Sequence, residues 1–293
     1  MEFLHFLEGI RTSFGNVFFS ACTVLGSEIA LIALFAINYW CVDKKFAYEI
    51  GASYFMSGLL VQGLKITFRV PRPFVRDTAL TPVESAVSGA TGYSFPSAHT
   101  QTSASALIPA AYEYRKHRLF SAFCILLIIL TGMSRMYLGV HTPTDVITAF
   151  LLTLVSTAVI VYARRMHGYK AAHIINIILT AGAVISVIYG AVLNAKGIIE
   201  YKYLSDCIKS AGACLGFTVG VFLEKRCADF TPSHHSYGKS AVRMLLGFIG
   251  TGIVYCTKLL YEDILFLDGL RYFLTVFWIT FLYPVIIKKS GKI

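Results

Sequence analysis

Residues 119–163 read LFSAFCILLIILTGMSRMYLGVHTPTDVITAFLLTLVSTAVIVYA, and this stretch decides the fold class. Its flanks, 119–138 and 146–163, are apolar runs that contain a single charge, Arg135. A helix needs about 20 such residues to cross the roughly 30 Å hydrocarbon core of a bilayer, so each run reads as a transmembrane span. Between the spans lies a polar hinge, Ser134-Arg135 followed by His141-Thr-Pro-Thr-Asp145. Cations, histidines and carboxylates are costly within a membrane, and a cluster of them where spans end points to function.

Similar runs lie at 17–40, 46–66, 98–114, 174–193, 207–223, 241–261 and 265–287. The run at 98–114 is polar on much of its surface, through Thr100, Gln101, Thr102, Ser103 and Ser105. Such a helix must turn that surface toward other helices or water. Composition agrees with the spans. The 293 residues are 56% hydrophobic and 14% charged, with mean hydropathy +0.66, against about 25% charged residues in soluble proteins. The fold class is therefore all-α, a polytopic membrane helical bundle of about nine transmembrane helices.

Ahead of the first span, Phe3, Phe6, Leu7, Ile10, Phe14 and Val17 recur at three- and four-residue steps. That spacing predicts an amphipathic interfacial helix over residues 1–16. The same segment has no basic flank before an apolar core, so no cleavable leader is expected. A core follows over 17–165, and a C-terminal transmembrane extension over 166–293. The seven cysteines show no metal-ligand spacing and are expected as membrane-buried thiols. His234 and His235 form an isolated pair, expected as polar loop residues.

The net charge of +10 is explained by position. With nine spans, one face collects Lys44, Lys45, Arg115, Lys116, Arg118, Arg164, Arg165, Lys170, Lys225, Arg226, Lys239, Lys288, Lys289 and Lys292. Basic residues mark the cytoplasmic side, so this face is cytoplasmic and no nucleic-acid partner is implied. The opposite face carries few cations except around residues 65–76 and at Arg135.

Those exceptions coincide with the unusual polar chemistry. One outer loop runs from Lys65 through Arg72-Pro73 to Pro96-Ser97-Ala98-His99, and the other from Ser134-Arg135 to His141 and Asp145. Such a cluster suits a phosphate ester. Arg72 and Arg135 can grip phosphate oxygens bidentately, with Lys65 as an added point charge. Ser97 and the Ala98 N–H open a helix, where backbone donors favour anions. Asp145 follows His141 by one helical turn, so it can hold one imidazole nitrogen and leave the other free to attack phosphorus. His99 can protonate the leaving oxygen and then activate water. No metal site and no cofactor are expected.

These segments resemble the three motifs of the type-2 phosphatidic acid phosphatase superfamily, shared with vanadium haloperoxidases and glucose-6-phosphatase. The family pattern is Lys-x6-Arg-Pro, Pro-Ser-Gly-His and Ser-Arg-x5-His-x3-Asp. Lys65, Arg72 and Pro73 match the first, and Ser134, Arg135, His141 and Asp145 the third. In the second, Ala98 stands in place of glycine. The resemblance implies His141 as nucleophile, Asp145 as its orienter and His99 as general acid and base. It implies Lys65, Arg72, Ser97, Ala98 and Arg135 as phosphate ligands. Sphingoid-base-1-phosphate phosphatases are similar in carrying extra C-terminal spans.

The implied activity is metal-independent hydrolysis of a lipid phosphate monoester of the phosphatidate, phosphatidylglycerophosphate or sphingoid-base phosphate type, through a phosphohistidine. The alternatives are a polyprenyl diphosphate phosphatase, a lipid phosphotransferase and, more distantly, a lipid transporter or scramblase. The expected partners are the bilayer and its lipid substrate, and the expected location is the cell membrane with an extracytoplasmic site.

Overall fold

A computed structural model describes residues 1–232, 237–262 and 264–290, and no strand occurs among them. His234, His235 and Lys292 lie outside the described residues. In chain order the helices are α1 (Glu2–Gly9), α2 (Ser13–Val24), α3 (Glu28–Ile37), α4 (Lys44–Phe68), α5 (Pro73–Arg76), α6 (Glu84–Val87) and α7 (Ala98–Glu113). They continue with α8 (Arg118–Tyr137), α9 (Pro143–Ala195), α10 (Tyr201–Leu223), α11 (Tyr237–Cys256), α12 (Leu265–Phe277) and α13 (Tyr283–Ser290).

Among the described residues, five helical stretches are long and apolar enough to cross a membrane. They are Arg118–Tyr137, Pro143–Ala195, Tyr201–Ala228, Gly238–Leu260 and Leu265–Ser290. The pair Ser13–Val24 and Glu28–Val42, bent by 44°, makes a sixth if its two helices form one broken span. Helix α9 is 53 residues long, and at about 1.5 Å per residue it far exceeds one bilayer crossing. Gly168, at φ 55, breaks it, a backbone conformation that glycine adopts without a Cβ penalty. Two of the nine expected runs thus share α9.

Helices α4 and α7 are not among the five stretches: α7 has only 16 residues, and both carry polar side chains that find partners inside the protein. Gln101 Nε2 donates to Ser57 Oγ at 2.8 Å, and Ser105 Oγ donates to the Thr102 carbonyl at 2.8 Å. Burial of polar groups with partners costs little, whereas hydropathy alone scores them as exposed.

The chain divides into two compact units, 1–33 with 56–161 and 34–55 with 162–293. In the first, α2 and α7 pack along α8. The N-terminal segment is two helices where one was expected. The Thr12 side chain accepts from Gly15 N at 3.0 Å, capping α2 and ending the run that begins in α1. Leu4 and Leu7 of α1 are buried against Leu80 and Met136, while Phe3 and Phe6 stay exposed. Arg11 Nε donates to the Tyr137 carbonyl at 2.8 Å, which ties the segment to the end of α8. The 77–95 loop is likewise packed down. Val83 N donates to the Leu138 carbonyl at 3.0 Å, and Ala86 and Ala90 cluster with Tyr137, Leu138 and Val140.

In the second unit α10 and α12 lie in close contact through Gly212, Gly216 and Gly220, spaced by four. A Cβ at Gly216 would overlap the Phe273 carbonyl oxygen. Small residues at this spacing let helix backbones approach closely in a membrane. Gly216→Leu is therefore expected to destabilise the protein by about 1–3 kcal/mol through overpacking. A thermal melt in detergent checks this, and an unchanged midpoint would contradict the close approach. The seven cysteines are free: Cys22, Cys124, Cys207 and Cys214 are buried, whereas Cys227 and Cys256 are exposed.

Candidate active site

Every residue singled out for phosphate chemistry falls in the first unit. Lys65 occupies the last turn of α4, which ends as Arg69 takes a left-handed backbone at φ 51. The chain then turns into Arg72, the residue before Pro73 at the start of α5. Ser97 caps α7 by accepting from Thr100 N at 3.4 Å, and its own N–H donates to the Asp145 carbonyl at 3.0 Å. That backbone bond joins the second motif segment to the third.

The third segment is a closed turn. The N–H groups of Val140 and His141 both donate to the Arg135 carbonyl, at 3.1 and 3.2 Å. Gly139, at φ 79, makes the reversal possible. The interval of six residues between Arg135 and His141 is thus the length of one backbone loop that brings the two side chains together. Thr142 N donates to Asp145 Oδ2 at 2.8 Å, so the carboxylate also helps to start α9.

His141 is buried at 1% exposure. Its Nδ1 lies 3.3 Å from Asp145 Oδ2, and its Nε2 lies 2.6 Å from Arg72 Nη1. A guanidinium only donates, so Nε2 must be the acceptor and carry the lone pair. The proton then sits on Nδ1 and faces the carboxylate. Burial pushes the imidazole pKa well below its ordinary value, and the charges of Arg72, Arg135 and Lys65 push the same way, against the pull of Asp145. The result is a neutral ring with its free nitrogen turned toward cations.

The cations are held differently from one another. Arg72 is largely occupied: it donates to the carbonyls of Gly92, Val140 and Thr91 at 3.1, 3.1 and 2.9 Å. Lys65 Nζ donates to the Tyr93 carbonyl at 2.6 Å. Arg135 is 1% exposed, and its Nη1 donates to Thr23 Oγ1 at 2.9 Å. Its Nε and Nη2 are buried with no hydrogen-bond partner among the described residues. Arg135, more than Arg72, is the open fork for an anion.

Sequence reasoning missed Thr23. Ser134 Oγ donates to the Thr131 carbonyl at 2.7 Å, so Thr23 donates to Ser134 and presents a lone pair to Arg135. It missed Ser94 as well, whose hydroxyl donates to Asp145 Oδ2 at 2.6 Å. Nothing local marks either residue.

His99 lies half-buried in the first turn of α7, within the field of Arg135, Arg72 and Lys65. A Cβ on Gly26, between α2 and α3, would come within 2.7 Å of the His99 carbonyl oxygen, so this glycine lets the bent pair approach. Ala98 is exposed and is not among the positive-φ residues, so the methyl group in place of glycine is unstrained. Three cations and one carboxylate leave two positive charges, enough for a phosphate dianion. A cavity of about 560 Å³ reaches Asp145 between Phe3, Phe68, Phe95 and Pro143, but none of the three cations lines it.

Residues 46–169 match the PAP2 superfamily, and residues 208–292 match the PAP2 superfamily phosphatase transmembrane extension. With the membrane-length helices, the second match marks a multi-pass membrane protein. A probable sphingosine-1-phosphate phosphatase of Dictyostelium discoideum is 28% identical over 174 residues, covering 54% of this chain and 41% of the relative. The chain thus matches about two fifths of that protein's length. No solved structure matches. The first match contains Lys65, Arg72, Ser97, His99, Arg135, His141 and Asp145, and with the extension that follows it, the chain belongs to the PAP2 superfamily.

Proposed function

We propose that the chain is a membrane phosphatase that hydrolyses a lipid phosphate monoester through a phosphohistidine on His141, without a metal. The observation that carries this reading is the lone pair of His141 Nε2 set 2.6 Å from an Arg72 donor, with Asp145 behind the ring. An arriving phosphoryl group takes over the Arg72 N–H and the open fork of Arg135, which brings phosphorus to Nε2. The N–P bond forms as the bond to the lipid oxygen breaks, and His99 protonates that oxygen. Water, deprotonated by His99, then breaks the N–P bond and frees phosphate. Lys65, Arg72 and Arg135 stabilise charge on the equatorial oxygens, with donors from Ser97 and Ala98 at the start of α7.

The substrate class we favour is a sphingoid-base phosphate, on the strength of the similar protein in Dictyostelium. We further propose nine crossings, with α4 and α7 among them, and a core over 17–165 followed by the extension over 166–293. The distribution of basic residues supports an extracytoplasmic site in the cell membrane. Purified protein in detergent should release phosphate fastest from a sphingoid-base phosphate, ahead of phosphatidate, phosphatidylglycerophosphate and undecaprenyl diphosphate. Fastest release from the diphosphate would overturn the monoester assignment, and no release from any of the four would overturn the phosphatase reading.

A further inference from the structure

Ser94 lies outside all three motif segments, yet its hydroxyl sits 2.6 Å from Asp145 Oδ2, nearer than the His141 ring nitrogen at 3.3 Å. Its side chain has no exposure. Its own N–H donates to the Val70 carbonyl at 2.8 Å. The neighbouring residues Thr91, Gly92 and Tyr93 supply the carbonyls that hold Arg72 and Lys65. One short segment therefore fixes two cations through its backbone and the carboxylate through a side chain.

The donor directions follow from chemistry. An ionised carboxylate only accepts, so the Ser94 hydroxyl spends its hydrogen on Asp145. Its lone pairs are then left to face His141 Nδ1, 3.4 Å away. The Nδ1–H thus points between two acceptors, Asp145 Oδ2 and Ser94 Oγ, while Nε2 is fixed by Arg72 on the far side of the ring. We propose that Ser94 is a positioning residue, which locks the Asp145 carboxylate against His141 and holds the ring proton on Nδ1. The proposal rests on the reading of His141 as the nucleophile.

Loss of this hydroxyl has two consequences. The carboxylate keeps the Thr142 N–H and the imidazole but loses a short charge-assisted bond, so its orientation relaxes. With one fewer donor neutralising it, Asp145 also attracts a proton onto the ring more strongly. The other charged groups around His141, namely Arg72, Arg135 and Lys65, are untouched and keep opposing protonation. Only the neutral ring attacks phosphorus, so the acid limb of the rate profile must move to higher pH.

The test uses full-length protein in detergent and follows phosphate release against pH for wild type, Ser94→Ala and Ser94→Cys, the last keeping the shape with a weak donor. Inhibition by inorganic phosphate reports whether the clamp is intact. We expect kcat to fall about 10- to 100-fold in Ser94→Ala and less in Ser94→Cys, with the acid limb displaced upward in both. KM and the phosphate inhibition constant should stay near wild type. Wild-type rates in either variant, or a lost rate with an unmoved acid limb, would overturn the proposal. So would loss of phosphate inhibition in both variants, which would make Ser94 a residue of the fold alone. A wild-type protein that releases no phosphate would instead overturn the phosphatase reading.

Discussion

A folded His141→Asn protein should form no covalent phosphoenzyme, and its turnover should drop by on the order of 10⁴-fold or more, as for other lost nucleophiles. The size of the effect follows from the site: the Nε2 lone pair is the one group that Arg72 and Asp145 jointly orient. Rapid quenching with radiolabelled lipid phosphate should trap a phosphohistidine in the wild type and none in the variant. His99→Ala should behave differently. It loses the proton donor, so turnover falls by about 10²–10⁴-fold, and a substrate with an activated leaving group lets the phosphoenzyme accumulate. The pH profile of the wild type follows the same logic. Burial and three cations hold the His141 pKa below the ordinary histidine value, so the neutral, attacking form persists at pH values where a free imidazole is already protonated. On the acid side, activity should be lost only as pH falls through that depressed pKa. Wild-type turnover in folded His141→Asn protein would remove the phosphohistidine from the mechanism.

The parts of this site that a reader of sequence can find are those whose spacing is enforced by the backbone. Arg135 and His141 are separated by one closed turn on a shared carbonyl, and His141 and Asp145 by one turn of helix, so their intervals are visible in the chain. The apolar runs are legible for a similar reason: a bilayer demands length and hydrophobicity in one continuous segment. Thr23 and Ser94 escape because their partners lie 112 and 51 residues away. A threonine in an apolar helix and a serine in a loop have many bland explanations. The polar face of α7 is visible in Thr100, Gln101, Thr102, Ser103 and Ser105, but what that face and α4 pair with escapes for a third reason. Their burial depends on side-chain pairs such as Gln101 with Ser57, and pairing across helices leaves no period in either sequence. At the N-terminus the apolar period continues through residues 3–17, but the Thr12 cap interrupts the helix within it, and periodicity does not register a change of axis.

Arg135→Ala should depress turnover by on the order of 10²–10³-fold and weaken inhibition by orthovanadate in parallel. Two buried donors of this side chain, Nε and Nη2, have no hydrogen-bond partner among the described residues, and an uncompensated guanidinium is costly unless an anion completes it. Thr23 holds the third nitrogen, so the open edge is fixed in direction before any ligand arrives. Orthovanadate adopts the five-coordinate geometry of the phosphoryl transition state, and it should use the same two donors as the substrate. Arg135→Lys should restore little of either, because an ammonium group is a point charge without a planar fork. The same donor set bears on metals. Charge around the phosphate comes from Lys65, Arg72 and Arg135, and the neighbouring carboxylate, Asp145, already takes Ser94, Thr142 and His141 on one oxygen. Magnesium usually binds through one or two carboxylates with phosphate oxygens, and catalytic zinc through three protein ligands. A metal on the remaining Asp145 oxygen would draw charge from the carboxylate that faces the His141 ring proton, and it would add to the positive charge that Lys65, Arg72 and Arg135 already supply. Activity is therefore expected to survive excess EDTA and to fall with vanadate. An enzyme silenced by EDTA, restored by magnesium and indifferent to vanadate would place the charge neutralisation on a metal, and Arg135 would then have to be explained as a structural cation.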